Sequence, residues 1–273
     1  MKPEAQWRYD RLTWPEMREI LARPLLPVVA IPFGAVEDHG PHLPLSTDND
    51  ILEGVLSEAG RRANGDLLVT PAIPFGLDEH HMDFPGTITV DMETCLAYVS
   101  QVATSVARHG FTHILIVNGH GSNHSICDLA ARKCVLATGV ICASTTINAA
   151  VSPALVQDVL DAGRRGGPGS VGHACEYETA MMLRLLPEQV QMDKAQRDIG
   201  QLKLKYFNWD HPEPSAYAWQ DWWSRFSAEG ICGDAAAATP EFGETMFEAT
   251  VTRFVEMVRE FRTISIRQRV DHH

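Results

Sequence analysis

Four short apolar runs, each followed by a longer stretch of helical periodicity, limit what this 273-residue chain can fold into. The runs are LPVVAIPF (26–33), DLLVTPAI (66–73), HILIVN (113–118) and VICASTTI (140–147). Between them, NDILEGVLSEAGRRA (49–63) places Ile51, Leu52, Val55, Leu56 and Ala59 on one helical face. DMETCLAYVSQVATSVARHG (91–110) reads as a helix with Asp91 as N-cap and Gly110 just past its end. NHSICDLAARKCVLATG (123–139) is another, and VSPALVQDVLDAG (151–163) a further one opened by Ser152 and Pro153. Parallel strands need long crossovers, so the alternation predicts an α/β fold, three layers αβα around a mostly parallel central sheet. RRGGPGSVG (164–172) is a Gly-rich loop that becomes a helix at about Ala174, and an amphipathic helix closes the pattern from Pro240 to about Arg262. No linker divides residues 1–273, which read as one domain with an aromatic-rich excursion over 200–233.

The net charge of −12 and the absence of any Lys/Arg run argue against nucleic acid and anionic membranes as partners. MKPEAQWRYDRLTWPEM lacks an apolar signal core, and no run approaches the ~18 apolar residues of a membrane span. The expected location is cytoplasmic. The six cysteines contain no CxxC pair and read as reduced, buried thiols. The closing VDHH resembles a tag remnant, so His272 and His273 are left out of any site.

In an open parallel sheet, ligands gather beyond the carboxyl ends of the strands. Polar clusters follow three of the runs: Glu37 to Asp48 after the first, Asp78 to Asp83 after the second, Asn118 to Asn123 after the third. The first, GAVEDHGPHLPLSTDND (34–50), could be a solvated loop. Its side chains are nevertheless those that hold divalent transition metals: Glu37, His39, His42, Asp48 and Asp50. Glu37 and His39 share a side of an extended segment, and Pro41 and Pro44 stiffen the turn that returns Asp48 toward them. In NGHGSN, two glycines let the chain turn sharply while His120 projects from the strand tip; a plain Asn-Gly turn is the alternative. His124 reads as helix surface. In HACEYET, a helix starting near 174 puts His173 and Glu176 on one face and Glu178 about 200° from Glu176. That leaves Glu178 a supporting catalytic role near the helix N-terminus.

Taken together, Glu37-Asp38-His39-Gly40-Pro41-His42-Leu43-Pro44-Leu45, Thr47-Asp48, FPGTI (84–88), Asn118-Gly119-His120-Gly121-Ser122-Asn123 and His173-Ala174-Cys175-Glu176-Tyr177-Glu178-Thr179 resemble the creatininase family of metal-dependent amidohydrolases. The match runs over roughly residues 30–190. The resemblance implies two divalent metal ions per subunit, zinc foremost with manganese or iron as options. It implies that Glu37 and His120 hold one ion, His39 and Glu176 the other, and that Asp48 bridges both. It further implies that His173 is catalytic and that subunits assemble, as hexamers in many relatives. His42 would support the ligands from behind, and Asp50 would be an acid of the early helix. A water shared by two cations loses a proton near neutral pH. The resulting hydroxide would attack an amide carbon while His173 protonates the departing nitrogen.

The implied activity is hydrolysis of a C–N bond, in an amide, cyclic amide or formamide, of a small polar molecule. Ring opening of a sugar-derived substrate and a non-catalytic metal scaffold are the alternatives. A binuclear phosphoesterase would want cationic groups, and near these motifs only Arg164 and Arg165 offer them. Two departures bear on substrate. True creatininases carry a glutamate two residues after the histidine of the NGH motif, where this chain has Ser122; many relatives carry Glu-His where it has His80-His81. With Ser122, the second ion's carboxylate is expected from Glu176, and creatinine is expected to be a poor substrate. Trp209, Tyr217, Trp219, Trp222 and Trp223 could cover the pocket, but a core or subunit contact is the favoured reading.

Overall fold

The computed structural model describes residues 7–149, 153–199, 203–204, 206–208, 216–217 and 219–273. Strands β1 (Val28–Phe33), β2 (Leu67–Val69), β3 (His113–Asn118) and β4 (Ile141–Thr146) form a sheet in the order β2-β1-β3-β4, with every pairing parallel. β1 and β3 are buried throughout because both faces of the sheet are covered. Val28 and Ala30 of β1, with Leu115 and Val117 of β3, pack into one apolar cluster. That cluster also takes Ile51, Leu52, Val55 and Leu56 of helix α2 (Thr47–Arg62). The alternating residues Val29, Ile31, Phe33, Ile114 and Ile116 face the other layer, with Cys95, Val99 and Ala103 on one helix and Ile126 and Ala130 on the next. A three-layer αβα sandwich follows from this period of two. Ile31 is fully buried between the layers, so Ile31→Ala would cost ~2–5 kcal/mol.

The second strand is shorter than the run that encodes it. Pro71 has no amide hydrogen to donate; the Thr70 amide still bonds the Ala30 carbonyl at 3.0 Å, and beyond Pro71 the chain meets β1 in an isolated bridge from Ile73 to Phe33. A short helix α1 (Trp14–Leu21) precedes β1. Helix α3 (Met92–Arg108) starts where the sequence places it, with the Asp91 carboxylate accepting the Thr94 amide at 2.9 Å. α4 spans His124–Thr138 and ends on Gly139 at φ +75°. α5 (Gln157–Gly163) is a shorter helix than expected, because Pro153–Leu155 form a 3-10 turn before it; Ser152 falls outside the described residues. α6 covers Glu176–Leu185, and α7 covers Pro240–Phe261 with Thr239 as its N-cap. The last two helices approach closely: a Cβ on Gly243 would lie 1.9 Å from the Ala180 carbonyl oxygen. Within the aromatic-rich excursion, Lys203–Leu204 pair antiparallel with Phe207–Asn208, and Gly233–Asp234 pair with Arg197–Asp198. No helix among the described residues is long and apolar enough to cross a membrane.

Candidate metal centre

Three loops at the carboxyl ends of the strands, together with the start of α6, converge on one buried polar centre. The loop after β1 is closed by the Glu37 amide donating to the Leu45 carbonyl at 3.1 Å. It is tied to FPGTI by the Ile88 amide on the Val36 carbonyl (2.9 Å) and the Asp38 amide on Thr87 Oγ1 (3.1 Å). That loop delivers Glu37 and His39, and its return places Asp48 in the first turn of α2. Two asparagines brace it. Asn49 Nδ2 donates to the Ala35 carbonyl at 2.6 Å. Asn123 Nδ2 donates to the Gly34 carbonyl at 3.0 Å, while its Oδ1 accepts the Leu77 amide at 3.0 Å. Asn118, the last residue of β3, accepts the His120 amide at 3.0 Å and fixes the turn that projects that ring.

Three imidazoles share one arrangement: one ring nitrogen lies against a backbone carbonyl and the other faces carboxylates. His39 Nδ1 is 3.4 Å from the Glu37 carbonyl, His120 Nε2 is 3.2 Å from the Leu77 carbonyl, and His173 Nε2 is 2.8 Å from the Asp38 carbonyl. The carbonyl fixes the proton on that nitrogen, and in the neutral ring the other nitrogen keeps its lone pair. His120 Nδ1 then lies 2.9 Å from Glu37 Oε1 and 3.0 Å from Asp48 Oδ2. His39 Nε2 lies 3.6 Å from Asp48 Oδ1 and 3.9 Å from both Glu37 Oε1 and Glu178 Oε1. Those separations exceed a hydrogen bond, and His39 Nε2 has no hydrogen-bond partner although the ring is 0% exposed. They match donor atoms about a common cation, since ligands at ~2.1 Å in tetrahedral array stand ~3.4 Å apart. The donor set fits two divalent ions: His39, Asp48 and Glu178 bring donor atoms together about one point, and Glu37 and Asp48 flank His120 Nδ1 at another, where Asp78 and His80 also group with Glu37 and His120.

The expectation for Glu176 is corrected here. Its carboxylate turns to the Gly-rich loop, accepting the Arg165 amide and, at 2.9 Å, the Gly166 amide. Glu178 stands beside His39 instead; its Oε1 accepts from Asn148 Nδ2 at 2.9 Å and its Oε2 from the Cys175 amide at 3.4 Å. The helical-face argument fails because Ala174 sits at φ +48°, a left-handed conformation that ends the loop, and α6 starts only at Glu176. His173 is therefore outside the helix, and three-residue spacing from it says nothing about direction. Spacing within α6 still holds: one glutamate faces the centre and the other faces away.

Burial and charge together set the protonation of the centre. Burial raises Glu37 well above the usual carboxylate range, with Asp78 adding to the rise. It likewise raises Glu178 and brings Asp38 up to about 6. For His39, burial opposes the charge, yet the nearby carboxylate of Asp48, then that of Glu178, outweighs it and lifts the ring to about 9. Asp48 is held well below the usual range despite burial, through the hydrogen bond with His120 and the nearness of the His39 ring. Burial, then the charge of His39, lowers His173 well below an ordinary imidazole, so it is neutral at pH 7.

Other expected residues find different places. His42 Nε2 bonds Thr179 Oγ1 at 2.8 Å and ties the loop to α6, and Asp50 accepts from Ser46 Oγ at 2.6 Å in the first turn of α2. His124 is exposed at the start of α4. His81 points its Nε2 to Glu37 Oε2 at 3.2 Å, and His80 Nε2 meets Ser122 Oγ at 2.9 Å. Trp223 stacks on His81 with ring centroids 4.8 Å apart and meets the edge of His173 at 4.9 Å. This part of the excursion covers the centre, contrary to the favoured reading of the aromatic stretch. Trp219 and Tyr217 follow that reading better, both packing on Phe207 and Trp219 also on Phe226, while Trp222 is partly exposed and Trp209 lies outside the described residues. Composition marked the excursion as unusual, but no spacing rule singled out which tryptophan turns inward. Asp78, 0% exposed and 3.6 Å from His120 Nε2, also went unassigned.

Residues 10–258 match the family model described as creatinine amidohydrolase. The creatinine amidohydrolase of Pseudomonas putida is 27% identical over 266 residues, covering 91% of this chain and 95% of that protein. A mycofactocin precursor peptide peptidase of Mycobacterium tuberculosis is 28% identical over 246 residues, covering 85% of this chain and 84% of its own length. A solved structure described as creatininase Mn superposes with a TM-score of 0.73 at 26% identity, over 93% of this chain and 97% of that one.

Proposed function

The chain belongs to the creatininase family of amidohydrolases, and from that premise we propose that it is a metal-dependent hydrolase cleaving an amide-type C–N bond of a small polar molecule. The observation that carries the reading is the arrangement of His39, His120 and the carboxylates of Glu37, Asp48 and Glu178, in which ring nitrogens and acid oxygens surround common points. Glu37, Asp48 and His120 would hold one ion, and His39, Asp48 and Glu178 the other. Bound there, two divalent ions would polarise a carbonyl and lower the pKa of a water molecule. Imidazole and carboxylate donors suit zinc, and the oxygen-rich set also accommodates manganese or iron.

The chain's own groups supply the proton traffic. His173 is neutral at pH 7, its Nε2–H is committed to the Asp38 carbonyl, and its Nδ1 lies 3.8 Å from Glu37 Oε1. Nδ1 can therefore take a proton from the attacking water and return it to the leaving nitrogen, acting as base before acid. Trp223 and His81 pack over this ring and keep bulk water away from it. Hydrolysis of a C–N bond is favoured over phosphate-ester cleavage by charge. Among the described residues, the side chains that pair with the five acids Glu37, Asp38, Asp48, Asp78 and Glu178 are histidines, asparagine and cysteine rather than lysine or arginine. Arg164, one of the two candidate cations, pairs with Asp161 at 3.1 Å. The test is elemental analysis followed by a screen of metal-loaded protein against small amides, cyclic amides, formamides and phosphate monoesters. About two ions per chain and turnover confined to the C–N substrates are expected; phosphatase activity alone would overturn the reading.

A further inference from the structure

We propose that Asn148 is a positioning residue that sets the Glu178 carboxylate for the ion beside His39, bracing α6 against the carboxyl end of β4. The inference rests on the metal-centre reading above and names what makes one of its ligands usable. The turn after His120 carries Gly121, Ser122 and Asn123 and brings no acid to His39, so one of the carboxylates beside that ring comes from a separate element, α6. A glutamate on a helix reaches its target through three rotatable bonds, the last of them with a broad torsional minimum. Helix α6 alone therefore does not aim Glu178.

Hydrogen bonds from two neighbours aim it instead. Oε2 is held from the start of the helix, by the Cys175 amide at 3.4 Å and the Cys175 thiol at 3.7 Å. Oε1, the oxygen 3.9 Å from His39 Nε2, accepts from Asn148 Nδ2 at 2.9 Å, the shortest of these contacts. A second neighbour fixes which way the asparagine lies. Nδ2 is also 3.4 Å from the Gly119 carbonyl, which can only accept, so the amide nitrogen and not its oxygen faces this side. One lone pair of Oε1 is thereby occupied, and another remains for a cation on the His39 side. Asn148 is itself 1% exposed, and it follows the last rung of the sheet, where the Ile147 amide meets the Asn118 carbonyl at 3.2 Å. The strut thus runs from the rigid end of the sheet to Glu178. Without its donor, the carboxylate would be held on one oxygen by the two longer contacts and could turn about its last bond.

Stepwise zinc affinities of the full chain, measured by competition with a chromophoric chelator, decide it. In Asn148→Leu, which fills the space but donates nothing, the affinity for one ion should fall by about 10–100-fold, as on loss of a hydrogen bond behind a metal ligand, with the other ion unaffected. The weakened ion should be the one that Glu178→Ala weakens. Adding Asn148→Leu to Glu178→Ala should then cost little more, because the strut no longer has a ligand to aim. Asn148→Ala should give the same pattern and serves where the leucine variant fails to fold. Unchanged affinity, equal losses at both ions, losses that add in the double variant, or loss of the fold in both Asn148 variants refutes the proposal, the last three marking a merely structural asparagine. Fewer than two ions in the wild-type protein refutes the metal-centre reading itself, and the proposal falls with it.

Discussion

Exchange of the two glutamates of α6 is the sharpest way to probe the centre, because they are two residues apart and face opposite directions. Glu178 Oε1 is 3.9 Å from His39 Nε2, a spacing at which the two would hold one ion as neighbouring ligands. A unit charge pair 4 Å apart is worth ~4 kcal/mol at an effective dielectric of 20, and a dication doubles it to ~8 kcal/mol. In Glu178→Gln the amide oxygen retains part of that attraction. Loss of about half of it corresponds to a fall in affinity of roughly 10²–10³-fold, at 1.4 kcal/mol per decade. The variant should bind one ion tightly and release the other on dialysis against a chelator of matched affinity. Glu176→Gln has a different cost. Its single amide oxygen can serve only one of the Arg165 and Gly166 amides that the carboxylate accepts, a stability loss of ~1–3 kcal/mol with both ions retained. Elemental analysis and denaturant titration read the two outcomes. Retention of two ions by Glu178→Gln and loss of one by Glu176→Gln would refute the assignment.

Asp48→Ala should lose both ions, because each Asp48 oxygen faces a different histidine, and unchanged metal content would remove Asp48 from the centre. His173→Asn should keep both ions yet slow turnover by ~10²-fold or more, as expected for loss of a proton carrier; loss of metal would make His173 a ligand instead. Ion uptake should release protons. His39 is held protonated up to about 9 in the metal-free protein, so at pH 7 a binding ion must displace that proton, and affinity should rise with pH until about 9. Calorimetry in buffers of different ionisation enthalpy should give at least one proton per chain, and none would refute the linkage. Creatinine should be converted poorly by the metal-loaded protein, which a direct assay of creatine formation checks.

The layers of the fold were legible because each β1 residue alternates between two clusters, and the helices that cover them carry apolar residues three and four apart. What failed was local. The second strand stopped at Val69 because a proline follows, and α6 began two residues late because Ala174 adopts a left-handed backbone that no residue pattern announces. That small shift decided the direction of two side chains, turning Glu176 to the Gly-rich loop and Glu178 to His39. The residue types that gather at the candidate centre stand in the sequence motifs; which neighbouring acid turns toward it depended on where a helix started. Asp78 and Trp223 were hidden for another reason. A lone aspartate before two histidines, or one tryptophan among several, gains a role only when a distant loop folds over it.

The arrangement of backbone carbonyls explains how one buried centre can carry so many acids. Glu37, Asp48, Asp78 and Glu178 line one centre, and among the described residues no lysine or arginine pairs with them, a grouping that repels itself when ionised. Rings facing the acids with lone pairs would not relieve that repulsion, and rings protonated at both nitrogens would leave no site for a metal. By taking one proton from each of His39, His120 and His173, the carbonyls of Glu37, Leu77 and Asp38 orient all three rings before any cation arrives. Without metal, the raised pKa of His39 and the raised Glu37 let protons partly neutralise the acids. Divalent cations can replace those protons without moving a side chain, since His39 Nε2 already stands at ligand-to-ligand spacing from three carboxylate oxygens. The ordering of the three rings is thus accomplished by the backbone, as the proposed exchange of protons against metal would require.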